Sequence, residues 1–175
     1  MEYTRAYASP LGVITLAADG ERITGLWFEG QAHYAETLDP LHDKGDLAVF
    51  GLAERWLDLY FSGRVPDFTP PLKMKTTAFR KAVWEILLSV PWGCTITYGE
   101  IARRIADRTG ASRVSARAVG GAVARNAISL IIPCHRVVGA DGSLTGYAGG
   151  VQRKAWLLDM EKAAADGNRP PRDRP

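Results

Sequence analysis

The sequence predicts an α/β unit followed by a mainly α unit, and three observations point there. Between residues 3 and 29, β-rich runs alternate with turn residues, and an amphipathic helical repeat follows them. A segment with three prolines, residues 65–75 (VPDFTPPLKMK), then interrupts all periodicity. Beyond it helical spacing dominates, including a helix, a loop and a helix in a basic stretch, the pattern of a helix-turn-helix. At 175 residues the chain has room for one domain or two small ones. The boundary is placed near Thr76, giving units over 1–75 and 76–165. With 46% hydrophobic and 23% charged residues, the composition is that of a folded, water-soluble protein and excludes disordered or fibrous classes.

Residues 3–8 alternate weakly, Ser9-Pro10-Leu11-Gly12 supplies turn chemistry, and residues 13–17 form a second β-rich run ending at Asp19-Gly20. Residues 23–29 give a third strand. From 47 to 62, Val49, Leu52, Ala53, Trp56, Leu59 and Tyr60 repeat at helical spacing, with Gly63 where a C-terminal cap belongs. After the proline segment, Phe79, Val83, Ile86, Leu87 and Val90 line one helix face that Pro91-Trp92-Gly93 ends. Thr97-Tyr98-Gly99-Glu100 fits a capping box, in which hydroxyl and carboxylate each accept from the other residue's backbone N–H, so a helix starts at Tyr98 and runs to about Ala106. A loop over 107–114 follows, and Ser115 caps a helix over 116–125. Residues 130–132 read as a short apolar strand, 139–150 as a glycine-rich loop and 152–165 as a final helix. Residues 166–175 (DGNRPPRDRP) have the composition of a disordered tail.

The net charge of +3 conceals an asymmetry: residues 1–75 carry 7 Lys/Arg against 11 Asp/Glu, and residues 76–175 carry 15 against 8. A polyanion-binding module beside an acidic scaffold has that distribution, and so does an ordinary solvated face. The helix over 116–125 is rich in small residues, and Gly120 and Gly121 together cost it roughly 1.5–2 kcal/mol of helix propensity. Either another element packs closely on them or a bulky ligand approaches, as a nucleic-acid backbone would. The first residues carry charge without a following apolar run, and no stretch is apolar for the ~18 residues a membrane span needs, so neither signal peptide nor span is expected and a cytosolic location is predicted.

The two cysteines, Cys94 and Cys134, are too few and too differently placed for a disulfide framework, and neither lies in a CxxC zinc arrangement. Cys94 reads as structural. Cys134 sits in IIPCHRVV (residues 131–138), with His135 and Arg136 as the nearest groups able to activate it. Activation is needed, because a free thiol with pKa near 8.5 is only about 3% ionised at pH 7. On a regular strand adjacent side chains point to opposite faces, so His135 reaches the thiol only where the backbone turns or a water bridges them. A cysteine between isoleucines is also a common small core residue.

The ordered set RAVGGA (117–122), Arg125-Asn126, PCHRV (133–137) and TGYAGG (145–150) strongly resembles the O6-alkylguanine-DNA alkyltransferase family. The resemblance runs from about Thr76 to Glu161 and is much weaker over the first 75 residues. It implies a ribonuclease H-like N-terminal domain and a winged helix-turn-helix-like C-terminal domain. It also implies repair of O6-alkylguanine, and less efficiently O4-alkylthymine, by irreversible transfer of the alkyl group to the protein's own cysteine, once per molecule and without a cofactor. Residues 1–75 contain no cysteine, so no metal is expected.

Residue by residue, the resemblance makes Cys134 the alkyl acceptor, His135 its base through a water, Glu161 the group that orients the imidazole and Asn126 the brace of the turn. Tyr98 would donate toward guanine N3 and press on the phosphate. Arg117 would fill the space left by an extruded nucleotide. The helix beginning after Ser115 would enter the minor groove of double-stranded DNA, independent of sequence, through Ala116, Ala118, Gly120, Gly121 and Arg125. The pocket would be formed by Val123, Pro133, Val137, Leu144, Tyr147, Ala148 and Gly149, with Tyr147 packing on the base and the Ala148 N–H near O6. A monomer is implied. This chain departs from many relatives at Ala127 and Ser129, where they have proline, and at Ala148, where they have serine or glycine. Two other functions compete: a non-catalytic lesion sensor on the same scaffold, and a transcription regulator, which an Ala/Gly face equips poorly for base contacts.

Overall fold

The structure, a computed structural model, describes residues 1–167. β1 (Glu2–Ser9) and β2 (Gly12–Ala18) form an antiparallel hairpin with Tyr3 opposite Ala18 and Ser9 opposite Gly12. The Ser9 hydroxyl accepts from Leu11 N–H at 3.1 Å, and Gly12 supplies the positive φ of 108° that the turn requires. β3 (Ile23–Phe28) pairs antiparallel with β2 and β4 (His42–Lys44) parallel with β1, for a sheet order β3-β2-β1-β4. β4 was not expected: its three residues are polar and exposed, and a short charged edge strand has no apolar pattern to read.

α1 (Ala48–Phe61) packs on this sheet through Val49, Phe50, Ala53, Trp56, Leu57 and Tyr60. Leu52, placed on that face by spacing, is exposed.

β3 is the other edge, but two returning segments cover its backbone. Ile23 N–H donates to Pro71 O and Lys73 N–H to Ile23 O, both at 2.8 Å. Farther along, Leu26 N–H donates to Ala127 O at 2.8 Å and Ser129 N–H to Leu26 O at 3.0 Å. The second segment leads directly to Cys134, so the N-terminal sheet braces the chain that presents the thiol.

The second part is helical: α2 (Ala78–Leu88), α3 (Tyr98–Thr109), α4 (Ala116–Ala124) and α5 (Val151–Ala165), with β5 (Ile96–Thr97) and β6 (Val137–Val138) as a parallel pair. The Ser115 hydroxyl accepts from Ala118 N–H at 3.0 Å, as its spacing predicts. Only half of the capping box forms. Thr97 Oγ1 accepts from Glu100 N–H at 3.1 Å, while the Glu100 carboxylate turns outward to Arg103 and Arg104. α3 runs to Thr109, beyond the expected end, because Gly110 with φ of 69° is the residue able to take the left-handed cap. Residues 130–132 are turns and no strand, with Leu130 itself at φ of 67°. The tail expected over 166–175 lies, from residue 168 on, outside the described residues. Among the described residues no helix is long and apolar enough to cross a membrane.

Candidate active site and nucleic-acid interface

Cys134 opens a 3-10 turn, Cys134–Arg136, so the backbone bends where a strand would have separated thiol and imidazole. Asn126, buried just after α4, builds the approach to it. Its Nδ2 donates to Ile132 O at 2.8 Å and to Ile128 O at 3.4 Å, and its Oδ1 accepts from Ile128 N–H at 3.1 Å. Ile132 O also accepts from Cys134 N–H at 2.8 Å, which ties the amide side chain to the turn itself.

Glu161, on the inner face of α5, is fully buried and is the hub of the site. Oε1 lies 2.6 Å from His135 Nε2 and accepts from Tyr60 Oη at 2.8 Å and Arg136 Nη2 at 3.0 Å. Oε2 accepts from Arg136 Nε at 2.9 Å and Gly93 N–H at 3.4 Å. Its backbone carbonyl accepts from Trp92 Nε1 at 2.9 Å. Arg136 is therefore committed to Glu161, and through Nη1 to Val90 O at 2.6 Å, so of the two groups proposed to activate the thiol it serves the carboxylate instead.

Burial alone would raise the Glu161 carboxyl, but hydrogen bonds and charge from His135 and Arg136 outweigh it and hold the pKa at about 2. Glu161 is ionised at neutral pH and can only accept, which favours a proton on His135 Nε2, while Nδ1 is buried without a hydrogen bond to protein. Burial pushes the imidazole below its ordinary value despite the Glu161 pairing. The Cys134 thiol is pushed up by burial, against the Asn126 hydrogen bond and the charge of Lys154. The resting sulfur is thus a protonated thiol, and it needs a base at the moment of reaction. Lys154 is itself buried, with its Nζ on Thr145 O at 3.1 Å.

Of the expected pocket residues, Val123, Pro133, Val137 and Tyr147 are buried, and Leu144 and Ala148 are half-buried. Gly149 is required for close approach, since a Cβ there would stand 2.6 Å from the Tyr147 ring. Tyr98, the first residue of α3, donates to Thr145 O at 3.1 Å, and burial and the neighbouring Cys134 raise its pKa. On α4, Val119, Ala122 and Val123 face inward, leaving Ala116, Arg117, Ala118 and Gly121 exposed. A Cβ on Gly121 would meet open space and one on Gly120 only the Tyr98 ring at 3.9 Å, so no element packs closely on the glycines. Arg125, the residue that caps α4, pairs with Glu36 of the N-terminal unit. Cys94 is exposed and free, so it packs in no core. Among the described residues no group of three or more His, Cys, Asp or Glu is placed to hold a metal ion.

Residues 3–74 match the family model of the 6-O-methylguanine DNA methyltransferase ribonuclease-like domain, and residues 78–163 that of its DNA binding domain. The chain belongs to the 6-O-methylguanine DNA methyltransferase family. A methylated-DNA–protein-cysteine methyltransferase of Haemophilus influenzae is 42% identical over 91% of this chain and 86% of its own length, and one of Mycobacterium bovis is 42% identical over 94% and 95%. A crystal structure of Mycobacterium tuberculosis OGT in complex with DNA superposes with a TM-score of 0.79 at 41% identity, covering 93% of this chain and 94% of that one. This methyltransferase has the sheet-rich N-terminal and helical C-terminal domains of its family. For three residues of its site the sequence holds no sign of a place there. Tyr60 was read as core, and Lys154 and Trp92 carried no signal, because what places them beside Cys134 and Glu161 is tertiary packing.

Proposed function

We infer that this chain is a methylated-DNA–protein-cysteine methyltransferase that repairs DNA directly, accepting the alkyl group of O6-alkylguanine, and less efficiently O4-alkylthymine, on Cys134 in one irreversible turnover. The observation that carries the assignment is a buried thiol that shares one 3-10 turn with a buried imidazole whose Nε2 is held by an ionised, fully buried carboxylate. His135 Nδ1, through a water, takes the thiol proton; the thiolate forms the S–C bond as the C–O6 bond breaks, and that electron pair stays on the guanine. Tyr98 leaves Thr145 O and donates toward N3. No cofactor enters this balance.

The exposed α4 face docks on the minor groove without sequence preference, where small residues fit a narrow groove and positive charge meets phosphate. A nucleotide inside the duplex is out of reach of a buried thiol, so it is extruded, and Arg117 occupies its place. We assign residues 1–75 to a ribonuclease H-like scaffold and 76–165 to a winged helix-turn-helix-like reaction domain, acting as a monomer in the cytosol.

Duplex DNA carrying O6-[methyl-labelled] guanine tests the reading. One label per chain on Cys134, located by mass spectrometry, is expected; label that stays on the DNA or lands elsewhere overturns it. The raised thiol pKa is the one feature favouring a non-catalytic sensor, and label retained on tightly bound DNA is the outcome that reading requires. Arg117→Ala is expected to slow repair of the lesion duplex by about tenfold while leaving the reaction with free O6-benzylguanine within about twofold. Equal losses on both substrates would remove the finger role.

A further inference from the structure

Tyr60 comes from α1, an element with no other part in the site, and its ring is fully buried in an aromatic cluster. It stacks on Trp56 at 5.2 Å and meets Trp92 edge-on at 5.0 Å. A phenylalanine would pack there equally well, so the hydroxyl needs its own explanation. Its oxygen lies 2.8 Å from Glu161 Oε1 and 3.3 Å from His135 Nε2. A phenol has one proton, and the ionised carboxylate is the stronger acceptor. With the proton on Glu161, the lone pairs of the Tyr60 oxygen face Nε2.

We propose that Tyr60 is a positioning residue of the alkyl-transfer site, supplied by the N-terminal domain, which holds His135 with its proton on Nε2 and its lone pair on Nδ1. The inference rests on the transfer reading above. Two acceptors, Glu161 Oε1 and Tyr60 Oη, then converge on the Nε2 proton. The opposite tautomer would put the Nε2 lone pair against the carboxylate at 2.6 Å. Burial and the Glu161 charge keep the phenol protonated, so this donor does not titrate during the reaction.

Tyr60 also limits how strongly Glu161 stabilises imidazolium, because each hydrogen bond donated to a carboxylate lowers its basicity. The other charged groups acting on the imidazole are Arg136 from its own turn and Lys154 from α5. Neither supplies a neutral donor to Oε1.

The test compares full-length wild type with Tyr60→Phe in single-turnover methyl transfer from a lesion duplex across pH, with duplex affinity and histidine 15N NMR measured alongside. Losing one hydrogen bond to a charged group corresponds to a rate about tenfold lower at neutral pH. The acid limb of the profile is expected to move up by about half a unit, because the stronger carboxylate at 2.6 Å favours imidazolium by more than the lost acceptor at 3.3 Å disfavours it, and the imidazole must be neutral to act. Duplex affinity should not change, and the Nε2–H signal of His135 should lose population. A variant with an unshifted acid limb and an unchanged tautomer overturns the inference, whether or not its stability falls. So does a wild-type His135 protonated on Nδ1, a result that needs no variant to fold. If wild type never labels Cys134, the transfer reading fails, and the tautomer comparison still decides the role of Tyr60.

Discussion

Glutamine at position 161 is expected to slow methyl transfer by about 10²–10⁴-fold and to lower the stability of the fold by about 3–5 kcal/mol. The carboxylate accepts five hydrogen bonds, three of them from charged or ionising partners, His135 and Arg136. An amide of the same shape turns an NH2 toward either Oε1's donors or Oε2's, and it leaves the buried Arg136 guanidinium without a counter-charge. Removing one member of a buried pair is more damaging than never having had it, because the remaining charge stays desolvated. For a chain of this size such a loss lowers Tm by roughly 10 °C. The chemistry suffers separately, since the ionised acceptor that favours the Nε2 proton, and so leaves Nδ1 free, is gone. Affinity for undamaged duplex should persist, because Glu161 is fully buried and its hydrogen bonds go to Tyr60, Trp92, Gly93, His135 and Arg136, none of them on α4. Transfer within about threefold of wild type would remove Glu161 from the relay.

The same substitution has a pH signature. The folded pKa is about 2 against an ordinary value of 4.5, so this carboxylate contributes its full stabilisation above pH 4.5 and loses it as pH falls toward 2. The shift corresponds to about 3 kcal/mol. Acid unfolding of wild type should therefore steepen between those values, and the difference between wild type and Glu161→Gln should shrink as pH falls through that window. A constant difference from pH 6 down to 2 would mean that Glu161 is not the group protonating there.

Much of this site was legible because its chemistry is written in adjacent residues. Thr97 and Ser115 cap the helices their spacing predicts, and PCHRV places thiol, imidazole and guanidinium in consecutive positions. What was not legible depends on partners distant in the chain. Arg136 looked like an activator of its neighbour Cys134 until Glu161, twenty-five positions on, claimed it. Tyr60 is one apolar position of an amphipathic repeat, and only the docking of α1 against α5 turns its hydroxyl toward Glu161. Arg125 gives no sign in the sequence of pairing with Glu36, eighty-nine residues earlier. The expected strand over 130–132 failed for a related reason. A β-rich run forms a strand when a ladder takes its backbone groups, and here the Asn126 side chain and Leu26 of β3 take those around it.

That dependence makes Asn126→Ala the second large effect. The buried amide satisfies Ile128 N–H and contributes to Ile132 O and Ile128 O, and alanine removes all three bonds while leaving the backbone groups enclosed. A buried group left unpaired costs about 1–3 kcal/mol, so a loss of about 2–4 kcal/mol is expected for the set, read from denaturant unfolding. Activity should fall at least about tenfold, because the turn carrying Cys134 loses its tie to Ile132 and the thiol loses a hydrogen bond that favours its ionised form. Asn126→Asp separates the two causes. It keeps the shape and the bond from Ile128 N–H, but it aims an oxygen at two carbonyls and brings a carboxyl toward the sulfur. If the amide acts only by bracing, Asp and Ala should impair transfer in proportion to their losses of stability. If it also eases ionisation of the thiol, Asp should be slower than its stability accounts for, with its rate recovering on acidification as the carboxyl is neutralised.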